Sequence, residues 1–197
     1  MHERDVSADP IVQFRSWFDQ AVAADVAQPN TIMLATSTLA GRPSVRAVLL
    51  KGISEAGLEF FTNYQSRKAD ELAENPRAAV ALVWQELHRQ VRVEGVVVRL
   101  EADESDAYFA TRPRGAQLAA LASEQSAVVD NRRQLHRRYE ELETEFQDRV
   151  VPRPDNWGGY RLIPDLFEFW QGRANRFHDR LQYLSVDKNW EVIRLAP

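Results

Sequence analysis

The chain has 197 residues, 44% hydrophobic and 27% charged, with a net charge of −4. That is enough for one domain with its own core, and the acidic balance does not point to a nucleic-acid partner. It has no cysteine, which excludes disulfides, thiolate metal sites and a cysteine nucleophile. His2, His88, His136 and His178 show no metal-ligand spacing, so no metal site is expected.

In chain order, residues 1–8 read as a mobile arm of a single domain spanning 1–197. Asp9 caps a helix with Pro10 at its first position, and Ile11, Phe14, Trp17, Phe18 and Ala21 recur at helical spacing. "TIMLATST" and "SVRAVLLK" form a hairpin over the turn "LAGRP", and "LEFFTN" is a third strand. Ser66 caps a helix in "RKADELAEN". "RAAVALVW" and "RQVRVEGVVVRL" are two more strands. "DESDAYFATRP", "RGAQLAALAS" and "NRRQLHRRYEELETEFQ" are helices, the last with the charge pattern of a solvated face. "VPRPDNWGG" reads as a loop. "YRLIPDLFEFWQ" and "FHDRLQYLSVDKNWEVIRLAP" supply the last strands, with a turn at "DKN".

Six to eight short strands, mostly hairpin-linked, with helices outside them, predict an α+β fold built on an antiparallel barrel or strongly curved sheet. There is no apolar signal region and no run of transmembrane length, so a soluble cytoplasmic protein without a membrane partner is expected. No GxGxxG or Walker A loop occurs, so side chains must hold any phosphorylated ligand.

Four clusters stand out. Arg46 and Lys51 lie on an otherwise apolar strand, either as end charges reaching water or as anion contacts at a cleft. Ser66, Arg67 and Lys68 stand at a helix N-terminus, where cations oppose the helix dipole and a bound phosphate would reverse that cost. Tyr108 and Arg112 are one helical turn apart and can serve one ligand. In "EFWQGRANRFHDR", Arg176, His178 and Arg180 alternate, which on a strand would aim all three the same way. That pattern suits either a salt-bridged exposed strand or, with Trp170 nearby, a planar anionic aromatic ligand.

"VRAVLLK", "FTNYQSRKADEL", "RQVRVEG", "YFATRPRGAQ", "SEQS", "WGGYRL" and "EFWQGRANRFHDR", in that order, resemble the pyridoxine/pyridoxamine 5′-phosphate oxidase family. The resemblance runs from about Asp9 to the terminal "RLAP". It implies a homodimeric split β-barrel with FMN at the subunit interface. It also implies oxidation of pyridoxamine or pyridoxine 5′-phosphate to pyridoxal 5′-phosphate, with O2 reoxidising the flavin to give H2O2.

By motif position, the resemblance assigns Arg46, Arg67 and Lys68 to the FMN phosphate and neighbouring atoms. It puts Lys51, Phe61, Thr62, Gln90, Gln125, Ser126, Trp170 and Arg180 in the rest of the flavin site. It assigns Lys51, Tyr108 and Arg112 to the substrate phosphate, and Arg176 and His178 to the substrate ring as the catalytic pair. Two departures from the family pattern are Ala116, where serine is common, and a short segment before Asp9. Same-fold alternatives are a phenazine-type flavin oxidase, a non-catalytic flavin or pyridoxal-phosphate binder, and a deazaflavin-dependent reductase.

Overall fold

The computed structural model describes residues 1–187 and 189–197. In chain order the elements are α1 (Pro10–Ala23), β1 (Thr31–Ser37), β2 (Pro43–Ser54), β3 (Gly57–Asn63), α2 (Arg67–Glu74), β4 (Arg77–Trp84) and β5 (Arg89–Arg99). There follow α3 (Ala102–Thr111), α4 (Arg114–Ala122), α5 (Arg132–Glu145), β6 (Trp157–Gln171), β7 (Asp179–Val186) and β8 (Asn189–Leu195). The turn expected at "DKN" includes Lys188, outside the described residues.

The strands form one antiparallel sheet in the order β3-β2-β1-β4-β5-β6-β7-β8, and β3 also pairs with β6. That extra pairing closes β3-β2-β1-β4-β5-β6 into a barrel and leaves β7 and β8 as an extension. The fold is thus the expected α+β split barrel. β6 makes the split possible. Its first half pairs with β3 from Trp157 to Leu162, and its second half pairs with β7 from Leu166 to Gln171. The change of partner coincides with a register shift opposite Glu94 and Gly95 on β5.

Alternation along the strands sets two faces. Leu34, Val80, Leu82, Val91, Val93, Phe167 and Phe169 point inward and are almost fully buried. α1 lays Trp17 edge-on against Phe169 (5.3 Å) and Phe14 against Phe167 (6.4 Å). Asp9 caps α1 as expected, its carboxylate accepting from the Ile11 amide at 2.7 Å. A second apolar cluster joins Phe109, Leu118, Leu142, Val151 and Trp157, and so fastens α3, α4 and α5 beside the start of β6.

Three local expectations change. Ser66 occupies the N-cap position of α2, but its hydroxyl donates to the Asn63 carbonyl at 2.7 Å rather than capping the helix. The loop expected through "WGG" ends earlier, because β6 begins at Trp157. β7 begins only at Asp179, so Arg176 and His178 do not share a strand with Arg180. Asn175 and Arg176 instead adopt left-handed backbone angles (φ 57° and 62°) that break the extended path. The first residues run beside β7 and β8, where the Met1 amino group meets Asp179 at 2.8 Å and the Tyr183 hydroxyl donates to the Ser7 carbonyl at 2.8 Å.

Candidate active site

A cleft of about 1220 Å³ opens where β2 and β3 meet α2, α3, α4 and the segment after α4. Arg46, Lys51, Phe61, Thr62, Arg67 and Lys68 line it, as do Tyr108, Arg112, Gln125 and Ser126. Ten of the sequence-predicted site residues therefore meet in one place.

One end of the cleft is a cation cradle. Arg46 pairs with Leu34 in register, on the inward face of β2, and reaches past the end of the core. Its guanidinium bonds the Leu34 carbonyl (3.2 Å), the Thr36 hydroxyl (2.5 Å) and the Glu71 carboxylate (3.2 Å). Arg67, at the start of α2, donates through Nε to Glu71 at 2.9 Å, and its amide donates to Ser126 Oγ at 3.3 Å. Lys68 spends its three N–H bonds on Thr62 (3.1 Å), Ser66 (2.9 Å) and Gln125 (2.7 Å).

The cradle's charges are shifted from their ordinary values. Burial, and then the nearby Arg46 charge, lower the Lys68 ammonium to about 8. Burial alone would raise the Glu71 carboxyl. Hydrogen bonds from Ser44, Thr36, Arg67 and Arg46 outweigh it and bring Glu71 down to about 2.

The other end is aromatic and holds a separate cation. Tyr108 stacks on Phe61 with ring centroids 3.9 Å apart, and Trp157 lies nearly parallel to Tyr108 at 6.2 Å. Arg112 lies over the Trp157 ring at 4.5 Å. Its Nη1 is buried and has no hydrogen-bond partner among the described residues. Burial lowers the affinity of this guanidinium for its proton. Lys51 stands exposed on the same cleft wall, and Ala116 presents a bare methyl there.

Gln90, Trp170, Arg176, His178 and Arg180 do not line this cleft. Gln90 pairs with Trp170 and Trp170 with Arg180 across β5, β6 and β7, so these three form a row on the outward face. Arg180 is held by Glu168 (2.9 Å), a carboxylate only 3% exposed that also binds Arg92 (3.1 Å). His178 packs against Trp170 with ring centroids 4.6 Å apart. Its Nδ1 accepts the Arg173 amide at 3.1 Å, which leaves Nε2 as the nitrogen that carries the proton in the neutral ring.

The outward face of the neighbouring strands is apolar and open. Met33, Val45, Leu49 and Val83 are all more than two-fifths exposed, an unusual pattern for the middle of a sheet. The site residues thus divide into a cleft and a separate row; on the same sheet runs an exposed apolar strip, two of whose residues, Val45 and Leu49, also line the cleft.

Sequence reasoning did not pick out Glu71 or Trp157. Glu71 looks like any helix-surface acid, and only its position one turn after Arg67 hints otherwise. Trp157 had a signal in "WGG", since the two glycines mark a place where other side chains come close: Tyr64 and Ser105 beside Gly158, Phe61 and Leu100 beside Gly159.

Residues 18–146 match the family described as pyridoxamine 5′-phosphate oxidase. Residues 157–197 match a family described as the pyridoxine 5′-phosphate oxidase C-terminal dimerisation region. The chain is 54% identical to a pyridoxine/pyridoxamine 5′-phosphate oxidase of Rubrobacter xylanophilus, over 99% of this chain and 90% of that protein. It is 51% identical to the protein of the same name from Acaryochloris marina, over 99% and 89%. Among solved structures it resembles PhzG from Burkholderia lata, determined with tetrahydrophenazine-1-carboxylic acid. That likeness has a TM-score of 0.95 and 34% identity, covering 98% of this chain and 95% of that one.

Proposed function

The chain belongs to the pyridoxamine 5′-phosphate oxidase family, and on that footing we propose that it oxidises pyridoxamine and pyridoxine 5′-phosphate to pyridoxal 5′-phosphate with FMN as the electron acceptor. The observation that carries this reading is the pair of distinct cation groups in one cleft. Arg46, Arg67 and Lys68 suit one phosphate, and Lys51 with Arg112, whose buried Nη1 has no partner among the described residues, suits another. Two phosphorylated molecules side by side are what a phosphate-ester substrate and a mononucleotide flavin require.

In this reading the cradle holds the FMN phosphate, and Thr62, Gln125 and Ser126 flank the flavin beside Phe61. When bound, FMN supplies the two-electron chemistry that no side chain here can perform. Tyr108 and Arg112 hold the substrate phosphate with Lys51, and the Phe61–Tyr108–Trp157 stack keeps water from that end of the cleft.

Gln90, Trp170 and Arg180 come to the flavin from a second copy of the chain. Arg176 and His178 of that copy cover the substrate ring. The match of 157–197 to a dimerisation region and the uncovered Met33, Val45, Leu49 and Val83 strip support this arrangement. The His178 Nε2–H is the donor free to orient the ring, and Arg176 offers a guanidinium near the reacting carbon.

The second reading is a phenazine-type oxidase, favoured by the likeness to PhzG. Lys51 and Arg112 weigh against it, because both line the cleft and, in this reading, are the cations left to hold a substrate phosphate.

The test is anaerobic mixing with pyridoxamine 5′-phosphate while flavin absorbance is followed. The expected result is rapid bleaching, slowed roughly a hundredfold in Arg176→Leu through lost ring orientation. Arg180→Leu should instead lower FMN occupancy. Absence of bleaching in the wild type, with bleaching by a dihydrophenazine acid, would transfer the protein to the second reading.

A further inference from the structure

Glu71 is a buried carboxylate inside a site built for an anion. It is 3% exposed. Its Oε1 accepts from Arg67 Nε at 2.9 Å, and its Oε2 accepts from Arg46 Nη2 at 3.2 Å. The hydroxyls of Thr36 and Ser44 also donate to Oε2. Burying a charge is costly unless it is paired and fully hydrogen-bonded, and here four donors from three elements converge on it.

A negative charge at a phosphate site opposes the ligand, so its presence needs a reason. The reason lies in the cations. Arg46 and Arg67 bring like charges to one end of the cleft from β2 and α2. Left alone, the two guanidiniums would repel each other and swing toward water. The cleft would then have to order two long side chains each time an anion bound. Glu71 ties both to one carboxylate, and the Thr36 and Ser44 hydroxyls fix that carboxylate in turn.

We propose that Glu71 is a positioning residue for the phosphate cradle, holding Arg46 and Arg67 ready for the terminal phosphate of FMN. The proposal rests on the reading of this cleft as the flavin site. Its charge is largely satisfied by the two guanidiniums, so what it adds in order exceeds what it costs in repulsion. The carboxylate acts only through the arginines and so affects only the phosphate end of the ligand.

The experiment is a flavin-fluorescence titration of the apoprotein with FMN and, separately, with riboflavin, which lacks the phosphate. Wild type, Glu71→Gln and Glu71→Asp are compared. Glutamine turns an N–H2 toward one guanidinium and releases it. The expected result for Glu71→Gln is about a tenfold or larger rise in Kd for FMN, the scale of one lost charge-assisted bond, with the riboflavin Kd unchanged. Glu71→Asp keeps the charge with a shorter reach and should fall between; it carries the test if Glu71→Gln does not fold. Equal losses for both flavins would make Glu71 a merely structural residue and overturn the proposal. An unchanged FMN Kd in both variants would also overturn it. A wild-type apoprotein that binds neither flavin would instead overturn the reading of the cleft.

Discussion

Arg112 lies over the indole of Trp157 with its guanidinium carbon 4.5 Å from the ring centroid, and its Nη1 is buried and unpartnered among the described residues. The ring supports the cation on one face and leaves the plane of its donors free. A buried donor without a partner is a standing cost that an anion in the cleft would remove. Arg112→Ala should therefore raise the KM for pyridoxamine 5′-phosphate roughly ten- to hundredfold, the value of about 1.5–3 kcal/mol. The FMN Kd should stay within about twofold, since the cradle lies at the other end of the cleft. Arg112→Lys should rescue little, because an ammonium cannot stack flat on Trp157. Steady-state kinetics beside flavin titration separates the two phosphate sites.

Ala116 lines the same end of the cleft in the first turn of α4. A hydroxyl at that position would add a donor toward the substrate phosphate. Ala116→Ser is expected to lower KM by roughly tenfold, from about 1.5 kcal/mol of a charge-assisted bond, with kcat little changed. An unaltered KM would mean that water already fills the role.

Lys68 gives the cradle a pH dependence. Its ammonium is lowered to about 8, by burial first and Arg46 second. A phosphate dianion favours the charged form, so FMN affinity should be flat between about pH 7, where the ester phosphate is a dianion, and pH 8, and weaken as pH rises above it. The fall should approach about tenfold per unit if the charge is essential. Lys68→Gln should bind more weakly and flatten that limb. The apoprotein behaves in the opposite sense. Below about 8 the lysine is charged in both states and its burial cost is fully present. Between 8 and its ordinary 10.5 the unfolded chain holds the proton and the folded chain does not, so this group makes stability rise with pH. Melting curves of apoprotein across that window, compared with Lys68→Gln, check the sign.

Gly95 sits at the register shift where β6 changes partner, and an added Cβ there would collide with the Ile163 carbonyl. Backbone cannot swing aside as a side chain can. Gly95→Ala should cost about 1–3 kcal/mol, lowering Tm by roughly 2–4 °C per kcal/mol in a chain of this size. Scanning calorimetry measures that loss. FMN binding by the folded fraction should persist, because the cradle on β2 and α2 does not touch this shift.

The elements were legible where side-chain period and turn chemistry are local. The Asp9-Pro10 start of α1, the β1–β2 hairpin and β4 with β5 all lie where period and punctuation place them. The barrel closure was expected only as a class, since the β3–β6 pairing joins residues about a hundred positions apart and leaves no local mark. The cleft was legible from local chemistry only at Ser66-Arg67-Lys68 and at Tyr108 with Arg112; Phe61, Thr62, Gln125 and Ser126 entered through the family resemblance alone. Glu71 was not, because its role depends on Arg46, 25 residues away. The strict alternation of Arg176, His178 and Arg180 misled for a related reason. Alternation means a shared face only on extended backbone, and the left-handed Asn175 and Arg176 are an interruption that composition does not announce.

The separation of Arg112 from Arg176 has a genetic consequence. If each working centre draws its cleft from one chain and its Trp170 row from another, two different dead proteins can repair each other. Arg112→Ala and Arg176→Leu damage opposite contributions to the same centre. Refolded together, they assort at random, and each mixed pair contains one centre with both lesions and one with none. Equal mixing should restore about a quarter of wild-type turnover, whereas either variant alone stays at its own low level. Two alleles that each fail alone would then sustain growth when expressed in one cell.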